Sequence, residues 1–318
     1  MIAEKRETGY LLITLQNSKE QFTIYLQSQL SKSKPNLRNR LIVLLMILIC
    51  HSFQSYTQGG NMTSDFISRG TILVAAICKD GILFISDSRA CFILNKEHSN
   101  KVYAFFDNDQ KLFSIGKFVI ASSGKSMLDK TFFGQIVDEF NNTIKKTKNV
   151  ENTFDDFINF LRHNHNLSDS VIFEEGTQLI IAGYENSYPQ IVARDHKGKT
   201  REGRGGRMIH SFPEFAKFVH RTQSTNGTCD EIAPLLEAAI YNYATFKSDY
   251  RFGGPLHIIK INPNNSQTII KSFEPNKFKN YRDMAEAIIN NKIEVNYLFP
   301  FSEELLKRTL QEGIELGY

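Results

Sequence analysis

The segment RGTILVAAICKDGILFISDSRA, residues 69–90, decides the fold class of this chain. It holds two runs rich in β-branched and apolar residues on either side of the tight-turn signal KDG at 79–81. The pattern predicts a β-hairpin that begins at Thr71 and ends at Asp87. If the chain were cut before Thr71, that residue would carry a hydroxyl and a free α-amine, which together make a nucleophile and its base.

Outward from this hairpin, β-branched runs separated by turn residues predict more strands, and apolar residues at helical spacing predict helices. Thr153 is the predicted N-cap of the second helix. Several strands follow one another before each group of helices, instead of one strand alternating with one helix. This order indicates an α+β protein with two antiparallel sheets between helix layers. The predicted order is strands at 71–78, 82–87, 89–95, 101–107, 111–115 and 117–123, helices at 126–146 and 153–163, strands at 177–184, 189–195 and 206–210, a helix at 230–247, strands at 256–262 and 267–273, and a helical tail from Tyr281.

Composition and charge place the chain among ordinary globular proteins. It has 318 residues and a formal net charge of +4, with lysine and arginine scattered along the sequence. Phosphate recognition needs a concentrated basic face, so we predict no nucleic-acid binding. The four cysteines form no CxxC pair and no metal-ligand spacing, so neither a metal site nor a disulfide framework is predicted.

The first seventy residues differ from the rest. LIVLLMILIC at 41–50 is an uninterrupted apolar run that follows Arg38 and Arg40. Ten residues are too few to cross a bilayer, so the run predicts a secretory signal segment and the only membrane contact of the chain. Export to the periplasm or the extracellular space is favoured, with a cytoplasmic chain and a buried or disordered pro-segment as the alternatives.

An N-terminal threonine needs a nearby cation, a carboxylate that holds the cation, and backbone N–H donors for the oxyanion. Asp87 closes the returning strand and is the candidate carboxylate. Lys111 opens KLFSIGKFVIASSG, whose apolar residues would desolvate its stem, and it is the candidate cation. Gly124 ends that run, where its N–H could face the site.

The opening segment, with its Gly-Thr junction, KDG turn and DSRA end, resembles the start of a mature catalytic β-subunit of the 20S proteasome. Three later segments are also similar to that family: KLFSIGKFVIASSG at 111–124, LIIAGY at 179–184, and SDYRFGGPLHIIKI at 248–261. On these residues the chain is identified as a divergent, bacterial-type member over about residues 70–263. The resemblance implies the N-terminal nucleophile hydrolase fold, a four-layer αββα sandwich.

The resemblance also implies a set of catalytic residues. Thr71 falls on the nucleophile, Asp87 on the aspartate, Lys111 on the lysine and Gly124 on the oxyanion glycine. Asp249 falls on the family's second aspartate. The implied activity is that of a threonine-type endopeptidase, freed by autolysis after the preceding glycine, which acts on peptides or proteins without a metal or organic cofactor.

Two departures from the family leave alternatives open. The loop before Lys111 is long, so Lys101 is a rival for the lysine role. Phe252 stands where the family has a serine, and this favours a non-catalytic, ring-forming subunit of the same fold. A small-amide hydrolase of the wider superfamily is a third reading, and a homo-oligomeric ring is possible in each case.

The predicted domain organisation follows from these segments. Residues 1–70 form a signal or pro-segment, residues 71–273 form the hydrolase domain, and residues 274–318 form a helical extension.

Overall fold

The computed structural model describes residues 2–5, 10–17, 20–27, 71–94, 101–144, 149–202, 208–210, 215, 226–247 and 250–318. The chain divides into two compact units, 1–60 and 61–318. In the first unit an antiparallel sheet is formed by β1 (Ile2–Lys5), β2 (Tyr10–Asn17) and β3 (Glu20–Gln27). The predicted signal run at 41–50 lies outside the described residues. Among the helices that are described, none combines the length and the apolar character that a membrane crossing requires.

In the second unit, one five-stranded antiparallel sheet contains the hairpin predicted from the opening segment. Strands β4 (Leu73–Ile77) and β5 (Ile82–Ser86) pair with Leu73 opposite Ser86, and every residue of both strands is buried. The strand order is β15-β4-β5-β16-β17. The remaining strands are β15 (Met208–His210), β16 (His257–Ile261) and β17 (Gln267–Lys271).

A second five-stranded antiparallel sheet has the order β14-β13-β12-β9-β8. Its strands are β8 (Leu112–Ile115), β9 (Phe118–Ser123), β12 (Gln178–Glu185), β13 (Tyr188–Asp195) and β14 (Gly198–Glu202). The sequence analysis missed β14 because GKTRE contains no apolar alternation that would indicate a strand.

The two sheets pack face to face, and four of the described helices cover their outer faces. The sheets face each other through one buried cluster, in which Phe84 of the first sheet packs with Val119 and Ile180 of the second. Another cluster covers the outer face of the second sheet with α1 (Phe133–Thr143), α2 (Val150–Asn164) and α3 (Asp169–Ile172). A third covers the outer face of the first sheet with α4 (Cys229–Lys247). The layers run helix, sheet, sheet, helix, so the predicted α+β class and αββα sandwich are confirmed.

Two helix starts differ from the prediction. The first helix begins at Phe133 rather than at residue 126, because β10 (Met127–Leu128) and β11 (Thr131–Phe132) pair as a short hairpin before it. The N-cap of α2 is Asn149, whose side chain accepts a hydrogen bond from the Asn152 N–H at 2.7 Å. Thr153 instead lies inside α2 and is fully buried, so its prediction as the cap is wrong.

The C-terminal segment packs against a hairpin that follows the opening segment. This hairpin, β6 (Ala90–Leu94) and β7 (Lys101–Phe106), forms a three-stranded sheet with β18 (Asn296–Tyr297). Phe92 and Tyr103 of the hairpin share a buried cluster with residues of α5 (Tyr281–Ile289) and α6 (Ser302–Glu315). The boundary between 273 and 274 stays a prediction.

Candidate active site

The opening hairpin fixes the residue that follows Thr71. The Ile72 N–H donates to Asp87 Oδ1 at 3.2 Å, and the Asp87 N–H donates to the Ile72 carbonyl at 3.1 Å. The second of these bonds continues the β4–β5 ladder by one step, and the first ties the Asp87 side chain to the same residue. Thr71 itself is 3% exposed, so in the uncut chain its side chain is covered.

Lys111 and Asp87 form a buried ion pair. Lys111 Nζ lies 3.0 Å from Asp87 Oδ1, and the two side chains are 3% and 0% exposed. Lys111 Nζ also donates to the Arg89 carbonyl at 2.7 Å. Lys111 immediately precedes β8, and Asp87 immediately follows β5. The two strands therefore place the ammonium and the carboxyl next to each other.

The carboxyl of Asp87 receives donors from three directions. Besides the lysine and the Ile72 N–H, the Gly253 N–H donates to Asp87 Oδ2 at 3.1 Å. Burial raises the pKa of the Asp87 carboxyl, while the ammonium of Lys111 and the two backbone N–H groups act in the opposite direction. All three donors stabilise the ionised form, so we assign a carboxylate paired with an ammonium.

Arg89, which the sequence analysis did not single out, holds the segment that supplies the Gly253 donor. Its guanidinium bonds Asp107 with Nε at 2.8 Å and Nη2 at 3.1 Å, and it lies 3.7 Å from the centre of the Phe105 ring. The remaining nitrogen, Nη1, donates to the Phe252 carbonyl at 3.2 Å. The guanidinium of Arg89 thus holds the backbone at Phe252, one residue before Gly253.

The two glycines after Phe252 allow a close approach that a side chain would prevent. Gly253 has φ +139° and Gly254 has φ +75°. A Cβ on Gly253 would lie 2.8 Å from Arg89 Cζ, and one on Gly254 would lie 2.5 Å from Ser88 Oγ. The glycine pair therefore lets the backbone run directly against the residues that follow Asp87.

Gly124, the candidate oxyanion glycine, lies at the end of β9 and has φ +91°. A Cβ at this position would lie 2.3 Å from the Gly176 carbonyl oxygen, so the backbone of the loop before β12 packs tightly against it. Both the left-handed conformation and the close approach require glycine.

A second buried carboxyl, which the sequence analysis missed, lies close to Lys111. Asp109 is 4% exposed and accepts a hydrogen bond from Ser126 Oγ at 2.5 Å, while its own N–H donates to the Ser88 carbonyl at 2.8 Å. Burial raises the pKa of Asp109 to about 6, although the charge of Lys111 lowers it. Its position two residues before Lys111 was the available signal.

The structure thus brings Asp87 and Lys111 into contact beside the residue after Thr71. The side chain of Lys101, the rival lysine, is not described, and Asp249 lies outside the described residues. Phe252 turns its ring into the cluster beneath α4, where it lies 5.9 Å from the Tyr243 ring centre. The catalytic roles of these residues stay predictions.

The comparisons with known proteins give a weak likeness. No family model matches the chain, and no curated protein matches it. Among solved structures it is similar to a Gly-1 mutant of Anbu, a bacterial proteasome-like protein, from Hyphomicrobium sp. strain MC1. The identity is 13%, the match covers 78% of this chain and 96% of that chain, and the TM-score is 0.43.

These findings correct one prediction. The identification of the chain as a divergent member of the 20S proteasome β-subunit family is wrong, because no family model matches and the likeness reaches only a TM-score of 0.43. The motif at 69–90 does not define the family by itself, because a Gly-Thr junction before a tight hairpin also arises from strand and turn chemistry alone.

Proposed function

We propose that this protein is an amide hydrolase of the threonine peptidase type whose nucleophile is Thr71, freed by autolysis after Gly70. The observation that supports it is the buried ion pair of Asp87 and Lys111, which is hydrogen-bonded to the residue next to Thr71. Burying two charges costs several kcal/mol, and a purely structural contact at this position would be served as well by apolar residues.

In the proposed reaction the Thr71 hydroxyl attacks an amide carbonyl while its own α-amine takes the proton. Lys111 supplies positive charge that favours the ionised hydroxyl, and Asp87 orients the lysine. The Gly124 N–H donates to the oxyanion. The α-amine then passes the proton to the leaving amine, and water releases the acyl group from Thr71. No step uses a metal or an organic cofactor.

Phe252 favours a second candidate function. Its ring packs in the buried cluster beneath α4, and a phenyl ring has no hydroxyl that could bond the α-amine of Thr71. If Gly70 and Thr71 stay joined in the mature protein, the fold serves as a non-catalytic structural subunit.

Intact-mass analysis of the purified protein separates the two functions. We expect a mature chain that begins at Thr71 and is acylated there by a threonine-directed covalent inhibitor. Thr71→Ala should remain uncut and lose at least about a thousand-fold of the turnover of a fluorogenic peptide. Thr71→Ser, which keeps a hydroxyl, should retain measurable cleavage. A full-length chain that hydrolyses the peptide would contradict the proposal, and an uncut chain without turnover would favour the structural subunit.

A further inference from the structure

Two cysteines that are far apart in sequence meet at one corner of the first sheet. Cys78 follows β4 directly, and Cys229 is the first residue of α4. Both belong to the buried cluster between the first sheet and α4, with exposures of 8% and 0%. About 150 residues separate them along the chain. A covalent link that closes so long a loop strongly reduces the conformational entropy of the unfolded state.

The backbone on both sides of this corner is fixed by hydrogen bonds. The Lys79 N–H donates to the Gly227 carbonyl at 3.0 Å, and the Cys229 N–H donates to Asp80 Oδ1 at 2.7 Å. The other oxygen of Asp80 accepts from Lys260 Nζ at 2.5 Å, which ties the turn to β16 as well. The two cysteine backbones therefore keep one relative position.

The sulfur of Cys229 lies against the tight turn that follows Cys78. A Cβ on Gly81 would lie 3.1 Å from Cys229 Sγ, so this sulfur projects into the turn that begins at Cys78. The Cys78 N–H donates to the Gly81 carbonyl at 2.8 Å, so the same tight turn holds the Cys78 backbone and contacts the Cys229 sulfur. The neighbouring Cys78 side chain, and then burial, raise the pKa of Cys229. Both cysteines are free thiols at this corner, and the Cys78 thiol donates to the Ala76 carbonyl at 3.7 Å, a weak bond that disulfide formation would replace.

We propose that Cys78 and Cys229 form a stabilising disulfide that joins the β4–β5 turn to the start of α4. Bond formation links the two Sγ atoms, each thiol loses one proton, and the pair gives up two electrons. Glutathione disulfide accepts these electrons and leaves as two glutathione molecules. Export, which the run at 41–50 predicts, would bring the chain to a compartment where such bonds persist.

The site is independent of the proposed hydrolase chemistry. Thr71 precedes the first residue of β4, whereas Cys78 follows the last one, so the strand separates them. In the folded protein both thiols are buried, so an oxidant in solution reaches them slowly. We therefore expect the bond to close during folding.

The experiment is refolding followed by disulfide mapping. The full chain carrying Cys50→Ser, which removes the cysteine of the apolar run, is unfolded with reductant and refolded in a glutathione redox buffer. After tryptic digestion we expect a linked pair of peptides, 70–79 and 222–247, with peptide 90–96 that carries Cys91 unlinked. The first peptide begins at 71 if the chain has been cut, so cleavage is read separately from pairing.

The thermal midpoint gives the second readout. We expect the oxidised protein to melt roughly 5–15 °C above the reduced protein. Cys78→Ser and Cys229→Ser should each abolish this difference. Cys91→Ser is the matched control, because Cys91 is buried and its Sγ lies 3.3 Å from the Tyr250 carbonyl, and it should keep the difference.

Three results would overturn the inference. The first is free thiols at both positions in folded protein after refolding in the oxidising buffer. The second is a bond that involves Cys91 instead. The third is a mapped bond between Cys78 and Cys229 without any rise in the thermal midpoint, which would remove the stabilising role. The mapping uses only the Cys50→Ser chain, so it holds even if a serine variant fails to fold.

Discussion

Asp109 shows at the scale of a single residue how burial makes a carboxyl sensitive to pH. Its pKa is about 6 in the folded protein and about 3.9 in an unfolded chain. A carboxyl whose pKa is raised by folding contributes stability below its unfolded pKa, and that contribution is lost as the pH rises through its folded pKa. The loss for Asp109 therefore falls between about pH 4 and pH 6.

Asp109→Asn, which resembles the protonated acid, should remove this loss. Relative to the wild type, its free energy of unfolding should rise by up to about 3 kcal/mol as the pH increases from about 4 to about 7. Urea unfolding at a series of pH values measures the difference. The exposed Asp138→Asn is the control, and it should follow the wild-type profile within about 0.5 kcal/mol. A constant difference between Asp109→Asn and the wild type would contradict the expectation.

Gly124 and Gly176 form a matched pair that separates backbone strain from steric clash. Their φ angles are +91° and +87°, but a Cβ meets the Gly176 carbonyl in the first case and no atom within 4 Å in the second. Each alanine substitution costs about 1–2 kcal/mol in the left-handed conformation. Gly124→Ala should cost about 1–3 kcal/mol more, because the packed backbone must move.

Chemical unfolding of both alanine variants checks this expectation. Equal losses of stability would mean that the loop before β12 relaxes freely around Gly124. If Gly124→Ala stays folded, its peptide turnover also reports on the proposed oxyanion role, since Gly176→Ala carries the same strain without displacing the candidate donor.

At the scale of elements, α6 attaches the C-terminal segment to the hairpin β6–β7. Leu310 on this helix is fully buried in the shared cluster, whereas Leu316 at the helix end is 70% exposed. Leu310→Ala should lower the free energy of unfolding by about 2–5 kcal/mol, and Leu316→Ala by no more than about 0.5 kcal/mol. Urea unfolding of the two variants tests the attachment. Similar small losses would show that the segment contributes little to the fold.

Local elements could be predicted from the sequence, but contacts between distant elements could not. The β4–β5 hairpin follows from β-branched runs around a tight turn, which is information held within twenty-odd neighbouring residues. The short hairpin before α1 was missed because an amphipathic pattern continues through it. The pairing of Asp87 with Lys111 was expected because an N-terminal threonine needs a nearby cation and a carboxylate that holds it, and the resemblance pointed to the same two residues.

The contacts that the sequence analysis missed involve residues without a periodic or motif signal. Arg89 is near Asp107 in sequence, but it reaches the Phe252 carbonyl only because β5 and β16 are neighbours in the sheet. Cys78 and Cys229 meet because α4 packs on the first sheet. Such contacts depend on the whole arrangement of layers, which no single segment encodes.

At the scale of the whole molecule, residues 61–318 form one compact unit that includes the C-terminal segment. Limited proteolysis of the uncut Thr71→Ala chain should therefore yield a protected fragment that begins between 61 and 71 and ends at Tyr318. Mass spectrometry of the fragment identifies both ends. A cut near residue 274, after which the fragment that ends there resists further digestion, would instead support the predicted domain boundary.

The two hydrogen bonds that join Ile72 to Asp87 have a consequence for the proposed cleavage. A newly made chain end usually frays, because nothing restrains its first residues. Here the second residue of the cut chain is already fixed through both its N–H and its carbonyl. Ordering one residue costs about 1–2 kcal/mol in conformational entropy, and for Ile72 this cost is met when the hairpin folds and not during catalysis. The cut chain would therefore be held from its second residue onward before any cleavage takes place.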